Sequence, residues 1–133
     1  MIKLLLPSAA AVVFMMCAAA AEAQSYSGYY WGTVSIVRTK PATCPANTPT
    51  AALGFNVTQS GKAITATYGG GITLRGKVFK KGFKARGKRD SATTDTVRLT
   101  KIKPTSALVN QKIVWSGTGS RCIYLYRGTL SRS

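Results

Sequence analysis

The lysines and arginines of this sequence are the side chains with the clearest capacity for binding chemistry. The chain holds 19 of them against three acidic residues and no histidine, which gives a formal net charge of +16. A charge this one-sided attracts polyanions and disfavours the compact state through self-repulsion. The basic residues are densest between Ile72 and Arg89, where no aspartate or glutamate occurs.

The stretch from Ile72 to Arg89 alternates small or apolar residues with basic ones. This pattern predicts a β-hairpin, because successive side chains of a strand point to opposite faces. We expect a turn at Lys80-Lys81-Gly82 and an outward face that carries the charges and Phe79. The candidate polyanion-binding residues are Arg75, Lys77, Lys80, Lys81, Lys84, Arg86, Lys88 and Arg89.

The basic cluster has two interpretations. Like charges opposed across a hairpin are destabilising, so core packing, solvation or an anionic partner must offset them. The binding interpretation is a face that holds phosphate or sulphate groups of lipopolysaccharide, an acidic glycan or a nucleic acid. The other interpretation is a solvated exterior that keeps a secreted protein soluble. The sequence has no RRM-type aromatic signature, so it does not point to a specific nucleic acid.

The sequence offers little for catalysis or metal binding. Enzymes of this size usually rely on histidine, paired carboxylates, a metal or an activated nucleophile. After residue 23 the acidic residues are Asp90 and Asp95, both in a predicted polar turn region where solvated acids are common. The glycine run 69–71 lacks the following GK[ST] and helix of a phosphate-binding loop. We therefore predict a protein that is not an enzyme and uses no cofactor or metal.

The first 23 residues have the features of a cleaved signal peptide. Lys3 precedes an apolar run from Leu4 to Ala21, and Ala21-Glu22-Ala23 fits a small-x-small cleavage site. A membrane anchor is the alternative, although the run is near the lower length limit for spanning a bilayer. Processing would leave residues 24–133 as one domain with no transmembrane segment, exported to the periplasm or secreted. Removal of Lys3 and Glu22 leaves the net charge at +16.

Cys44 and Cys122 are the cysteines that would remain after processing. An even number in an exported chain predicts a disulfide. A reactive or metal-binding pair is the alternative, but the chain has no histidine and the two cysteines lack a CxxC spacing. The predicted bridge would join the region near the N-terminus to the last strand.

Short alternating segments separated by turn residues predict an all-β fold without a helix after the signal peptide. We expect an antiparallel barrel of about eight strands, with a two-sheet sandwich as the alternative. Glycines inside the strands, such as Gly32, Gly76, Gly87 and Gly128, suggest bulges or tight curvature. The predicted strands are Tyr29–Arg38, Leu53–Gln59, Ala63–Tyr68, the two of the basic hairpin, Thr96–Ile102, Leu108–Ser116 and Arg121–Leu130.

Aromatic residues gather on the first and the last two strands, which are close together in a closed barrel. Such rings could line a mouth or cavity for a small apolar ligand, although core packing is their more common role. The candidate ligand-contact residues are Trp31, Trp115 and Tyr124.

The opening Tyr29-Tyr30-Trp31-Gly32, Cys44 after it, and Cys122 leading into Tyr126-Arg127 form a loose pattern. It resembles small exported bacterial β-barrel proteins, many of them uncharacterised. The Trp-Gly opening is also similar to avidin-like and lipocalin-like barrels and to periplasmic barrel inhibitors of metalloproteases. The resemblance implies a barrel fold and an exported compartment, and no site residue is transferred from it.

The first hypothesis for function is an exported, non-enzymatic binding module that engages a polyanion or an acidic envelope surface. The alternatives are a barrel that binds a small ligand or inhibits a protease, and a structural protein of the envelope.

Overall fold

The computed structural model describes residues 25–133, and in this range every regular element is a β-strand. The predicted signal peptide, residues 1–23, lies outside the described residues. Within residues 25–133, no helix has the length and apolar character needed to cross a membrane. The strands are β1 Gly28–Lys40, β2 Thr50–Ser60, β3 Ala63–Tyr68, β4 Thr73–Phe79, β5 Gly82–Lys88, β6 Thr93–Thr100, β7 Ser106–Gly117 and β8 Ser120–Arg132.

The eight strands form a closed antiparallel barrel in which each strand pairs with the next along the chain. Closure comes from β8, which pairs with β1 over a long register that includes Gly32↔Leu130 and Val34↔Gly128. The prediction of an eight-stranded antiparallel barrel is confirmed, and the sandwich alternative is wrong. Closure removes the unpaired strand edges that an open sheet would expose.

Alternate residues of every strand point into the barrel and form its core. Tyr30 lies near the centre of an aromatic cluster, with ring centroids 5.8 Å from Phe55 and 6.1 Å from Phe83. Residues 25–27 lie over this end of the barrel, where Tyr26 packs against Phe83 and its carbonyl accepts a hydrogen bond from the Tyr30 hydroxyl. Burial of such large rings is a major stabilising contribution in a small domain.

Glycines in the strands allow close approach of neighbouring backbones rather than forming bulges. A β-carbon at Gly76 would overlap the carbonyl oxygen of Lys84 on β5, so only glycine fits there. The register shift between β1 and β8 lies at Ile36 and Arg38 instead, away from any glycine. Close backbone packing therefore explains Gly76, and the observed bulge lies elsewhere.

The basic stretch forms the β4–β5 hairpin, as its alternation predicts. The turn itself is shorter than expected and consists of Lys80 and Lys81. Gly82, which was predicted to lie in the turn, is buried in β5 and pairs with Phe79. A β-carbon at Gly82 would overlap the carbonyl oxygen of Leu99 on β6, so strand packing explains the glycine.

The loop between β1 and β2 covers the other end of the barrel and is fixed to β8. Cys44 and Cys122 form a disulfide with their Cα atoms 5.9 Å apart, which confirms the predicted bridge. The hydroxyls of Tyr124 and Tyr126 donate to the carbonyls of Pro45 and Thr48 at 2.8 and 2.9 Å. With the two cysteines 78 positions apart in the sequence, the chain-entropy model gives about 4.5 kcal/mol of stabilisation. A disulfide is typical of an oxidising, exported compartment.

The prediction that Asp95 is a solvated turn residue is wrong. Strand β6 begins at Thr93, so Asp95 lies within the strand. Its side chain is on the same inward side as Val97 and Leu99 and is fully buried. Its carboxylate accepts hydrogen bonds from Arg89 Nε at 2.8 Å and from the Tyr68 hydroxyl at 3.1 Å. Gln111 Nε2 lies 3.2 Å from both carboxylate oxygens. A buried carboxylate needs this degree of pairing, because an unpaired one would be strongly unfavourable.

Asp90, in contrast, lies in the exposed loop between β5 and β6. Its carboxylate accepts a hydrogen bond from the backbone N–H of Ala92, which lowers the pKa of Asp90 below its ordinary value. The two acidic residues therefore have opposite environments although they are only five positions apart.

Candidate anion-binding face

Lysine and arginine side chains form two neighbouring rows across the outer surface of β4 to β8. In the first row Lys77 pairs with Lys84, Lys84 with Arg98, Arg98 with Asn110, and Asn110 with Arg127. The second row lies two residues away from the first on every strand. From β4 to β8 it contains Arg75, Arg86, Thr96, Lys112 and Leu125. We call the cations of these rows the basic face: Arg75, Lys77, Lys84, Arg86, Arg98, Lys112 and Arg127.

The charges of the basic face lie close enough to repel one another. Neighbouring strands are separated by about 4.8 Å. Arg75 lies directly opposite Arg86, and Lys77 lies directly opposite Lys84. Every one of these cations is exposed. Among the described residues the acidic side chains are those of Asp90 and Asp95, and neither points outward from these rows. No carboxylate therefore balances the repulsion within the face.

The structure separates the predicted binding residues into three groups. Arg75, Lys77, Lys84, Arg86 and Lys88 are exposed on the outer side of the hairpin strands. Lys80 and Lys81 form its turn, at the end of the barrel. Both groups are exposed to solvent, and the alternation predicts this for the first group.

Arg89 is the third group and differs from the other seven candidates. Its Nε donates to the buried carboxylate of Asp95, and its guanidinium carbon lies 5.1 Å from the centre of the Tyr68 ring. Its side chain is only 34% exposed. Because this guanidinium is occupied by an internal partner, we leave Arg89 out of the basic face.

Sequence reasoning missed the cations that the later strands add to the face, namely Arg98, Lys112 and Arg127. Each lies alone among polar or apolar neighbours in the sequence, so no local density marks it. Their outward direction follows from strand alternation. Their place beside the hairpin depends on the register of three further strand pairs, which the sequence does not specify.

A groove of 630 Å³ runs over the outer surface of β5 to β8 and reaches Val37 on β1. Its apolar lining includes Val37, Val114 and Leu125, and its uncharged polar lining includes Thr96 and Asn110. The cations that line it are Lys84, Arg86, Arg98, Lys112, Arg121 and Arg127. The groove thus combines several anion-binding groups with a short apolar surface.

Phe79 lies on the outer side of the hairpin, as predicted, but its ring is partly covered. The guanidinium carbon of Arg98 is 4.8 Å from the ring centre, a cation–π arrangement. This contact covers part of the Phe79 ring and leaves less of it for stacking on a ligand.

The predicted aromatic site divides between the two ends of the barrel. Trp31 is 40% exposed near the start of β1 and stacks on Tyr29, with the ring centroids 5.5 Å apart. Trp115 and Tyr124 lie at the opposite end and line a cleft of 320 Å³ beside the β1–β2 loop. The structure therefore brings Trp115 and Tyr124 together and places Trp31 apart from them.

The buried polar group around Asp95 has the character of a structural network. Burial, and then the negative charge of Asp95, raises the pKa of the Tyr68 hydroxyl above its ordinary value. Among residues 25–133 every buried side-chain nitrogen or oxygen has a hydrogen-bond partner. In the same range, no three histidine, cysteine or acidic side chains are grouped to hold a metal ion. Each buried side-chain nitrogen and oxygen of the network thus has a hydrogen-bond partner within the barrel.

Comparison of the chain with protein-family models, with curated proteins and with solved structures finds no match.

Proposed function

We propose that this protein is an exported, non-enzymatic module that binds polyanions through the basic face. The observation that carries the proposal is the continuity of the cations across paired strands. Lys77, Lys84 and Arg98 occupy successive outward positions in one cross-strand row, and Arg75 and Arg86 are opposed in the next. This arrangement repels itself in the free protein and is relieved when a polyanion neutralises it.

A solubilising exterior does not require the charges to gather in this way. Charges dispersed over the barrel would keep the protein soluble with less repulsion between neighbours. The outward positions of β2 and β3 carry none of the positive charge; their residues are Thr50, Ala52, Gly54, Asn56, Thr58, Ser60, Ala63, Thr65 and Thr67. The concentration of charge on β4 to β8 therefore favours binding over solubility alone.

The proposed contacts are with anionic groups rather than with bases. Lysine and arginine bind phosphate or sulphate without reading sequence, and binding releases counterions. If about six phosphates of a nucleic acid were engaged, log affinity would fall with log salt at a slope of about −5. The proposal therefore includes lipopolysaccharide, acidic glycans and nucleic acids as one class of partner.

The test compares two variants that lose the same charge from different places. In the face variant, Lys84, Arg86 and Lys112 are replaced by glutamine; all three are exposed on the basic face. The control variant carries the same replacement at Lys40, Lys62 and Lys103, which lie outside the face. Heparin-column elution across a salt gradient is the measurement.

We expect the face variant to elute at clearly lower salt than the control, which should stay close to the wild type. Elution of both variants at the same salt would show that total charge, not its position, determines retention. That result would remove the proposal and leave the solubilising interpretation.

The cleft beside Trp115 supports a second candidate function, the binding of a small uncharged ligand. The residues lining it, including Ile113, Tyr124 and Pro45, carry no charge, and Trp115 is 40% exposed. A ligand seated there would contact the indole ring directly, because pockets of this kind bind mostly through apolar and aromatic surface. A library of neutral ring compounds should then include members that change Trp115 fluorescence in the wild type.

The matched control for this candidate is a Trp31→Phe variant, which keeps Trp115 as its remaining tryptophan. We expect the same fluorescence response in that variant and none in Trp115→Phe. A response that followed Trp31 instead would place binding on the outer surface and contradict the cleft site.

A further inference from the structure

We infer that the groove on β5 to β8 accepts a phosphate-bearing lipid, with the phosphate on the cations and the first part of the acyl chains on an apolar strip. This inference rests on the proposed function and narrows its class of partner. The strip is formed by Val37, Val114 and Leu125, all in the lining of the groove. The rest of the lining is cationic or polar, apart from the inward-pointing Tyr126.

The position of Val37 is the first observation that points to an amphiphilic ligand. Ile36 pairs with Tyr126 and Arg38 pairs with Leu125, so Val37 is the extra residue of a β-bulge. Its side chain is 54% exposed, the highest value among the large hydrophobic residues described. Bulges are common next to binding sites. Val37 keeps the outward alternation of Trp31, Thr33 and Ser35, and as the extra residue of the bulge it places its apolar side chain in the groove.

The second observation is that cations border the apolar strip. On β7, Lys112 lies two residues from Val114, on the same outer side of the strand. On β8, Arg127 has the same relation to Leu125, which is paired with Lys112 across the strands. Each of these apolar side chains therefore has a cation beside it, either on the paired strand or two residues away on the same strand. This arrangement matches a ligand whose phosphate and hydrocarbon are joined by a short link.

The lining of the groove also argues against a single-stranded nucleic acid as the preferred occupant. Such ligands are held by aromatic side chains on which bases stack, in addition to a basic surface. Among the described residues that line the groove, the aromatic one is Tyr126, and it is only 2% exposed. The apolar contacts that are accessible are aliphatic, as suits acyl chains.

The test uses two soluble probes that share a phosphate monoester and differ in hydrocarbon. Dihexanoyl phosphatidate carries two short acyl chains, and glycerol 3-phosphate carries none. Calorimetric titration should show that the wild type binds the lipid at least tenfold more tightly, which corresponds to covering about two methylenes. The same titrations are then made with a Val37→Asn/Leu125→Asn variant and with Val37→Asn alone.

We expect the preference for the lipid to disappear in the double variant and to weaken in Val37→Asn, with heparin elution unchanged in both. Val37→Asn alters an exposed side chain, so it keeps the test valid if the double variant unfolds. A Tyr29→Ser/Trp31→Ser variant, which removes exposed rings at the far end of β1, is the control and should keep the full preference.

The outcomes separate this inference from the proposed function. Equal affinity of the wild type for the two probes, with heparin binding retained, would overturn the lipid site and leave the polyanion module in place. A lipid preference that survives in the double variant would overturn the apolar strip as its cause. Elution of the face variant and the control variant at the same salt would overturn the proposed function, and this inference with it.

Discussion

The two halves of the barrel wall have similar residue types on their inner side and different ones on their outer side. We call the outward residues of β1 up to Ser35, together with those of β2 and β3, the neutral face. Inward positions on both halves are filled by residues such as Phe55 and Leu74, both essentially inaccessible. Outward positions carry threonine, serine, alanine, glycine or asparagine on β2 and β3, but mainly lysine and arginine on β4 and β5.

The comparison shows that the fold does not require the charge. The neutral face closes the same barrel with the same alternation and needs no cation in its outward strand positions. Opposed pairs such as Arg75 and Arg86 are unfavourable for folding by a few tenths of a kcal/mol to about 1 kcal/mol each. Residues that weaken a fold without shaping it are more readily explained by binding.

The largest expected effect concerns the polar network that joins the two halves through the interior. Tyr68 projects from β3, behind the neutral face, to Asp95 on β6, behind the basic face. An Asp95→Ala variant leaves the buried Tyr68 hydroxyl and Gln111 amide without their acceptor. We expect a loss of about 3 kcal/mol in the free energy of unfolding, measured by urea denaturation.

Asp90→Ala is the matched control, because it removes the same charge from an exposed loop. Its effect on stability should be much smaller than that of Asp95→Ala. Equal losses in the two variants would mean that net charge, which rises by one in each, controls stability. The buried hydrogen bonds of Asp95 would then make no specific contribution to the free energy of unfolding.

The next effect concerns pH and the same junction. Burial and Asp95 raise the pKa of Tyr68 above its ordinary value of 10.0. The folded state therefore holds the phenolic proton more tightly than the unfolded state. The resulting stability is fully present below pH 10 and is lost as the pH rises above 10. At pH 11 the loss should be about 1.4 kcal/mol relative to pH 9.

The measurement compares urea unfolding of the wild type and of Tyr68→Phe at pH 9 and pH 11. The other tyrosines and the lysines titrate in both proteins, so their contributions cancel in the difference of the two pH effects. We expect the wild type to lose about 1.4 kcal/mol more than the variant. Equal losses of unfolding free energy in the two proteins would show that the Tyr68 hydroxyl holds its proton no more tightly in the folded state than in the unfolded state.

Much of the barrel could be predicted because its strands follow simple alternation. The segment from Ala63 to Tyr68 was predicted with the bounds that the structure shows. Asp95 was misplaced because the residues before it, from Asp90 to Thr94, are mostly polar and suggest a turn. Its burial depends on Tyr68 and Gln111, which are 27 and 16 residues away in the sequence. No local pattern shows that these partners will meet it.

The basic face was accessible to prediction only where the sequence concentrates the charge. Lys84 and Arg86 belong to a dense alternating stretch, so their outward direction could be predicted. Lys112 and Arg127 join the face through pairing with distant strands. Register shifts and cross-strand neighbours depend on the closed barrel as a whole, and local sequence periodicity does not encode them.

The smallest expected effect tests the comparison of the two faces directly, by exchanging their residue types. Arg86→Thr removes a cation opposed to Arg75, whereas Thr58→Lys adds one to the neutral face, where its partner on β3 is Thr65. At low salt we expect Arg86→Thr to increase the free energy of unfolding by about 0.5 kcal/mol. Thr58→Lys should change it by less, because no cation lies opposite.

Salt identifies the cause of this difference. The Debye length falls to about 3 Å at 1 M salt, which is shorter than the distance between neighbouring strands. The gain in Arg86→Thr should therefore shrink towards zero at 1 M sodium chloride, if repulsion within the basic face is its origin. A gain that persists at high salt would instead reflect the strand preference of threonine. In that case the cations of the basic face would not be in conflict with the fold, and the argument that their cost implies a partner would fail.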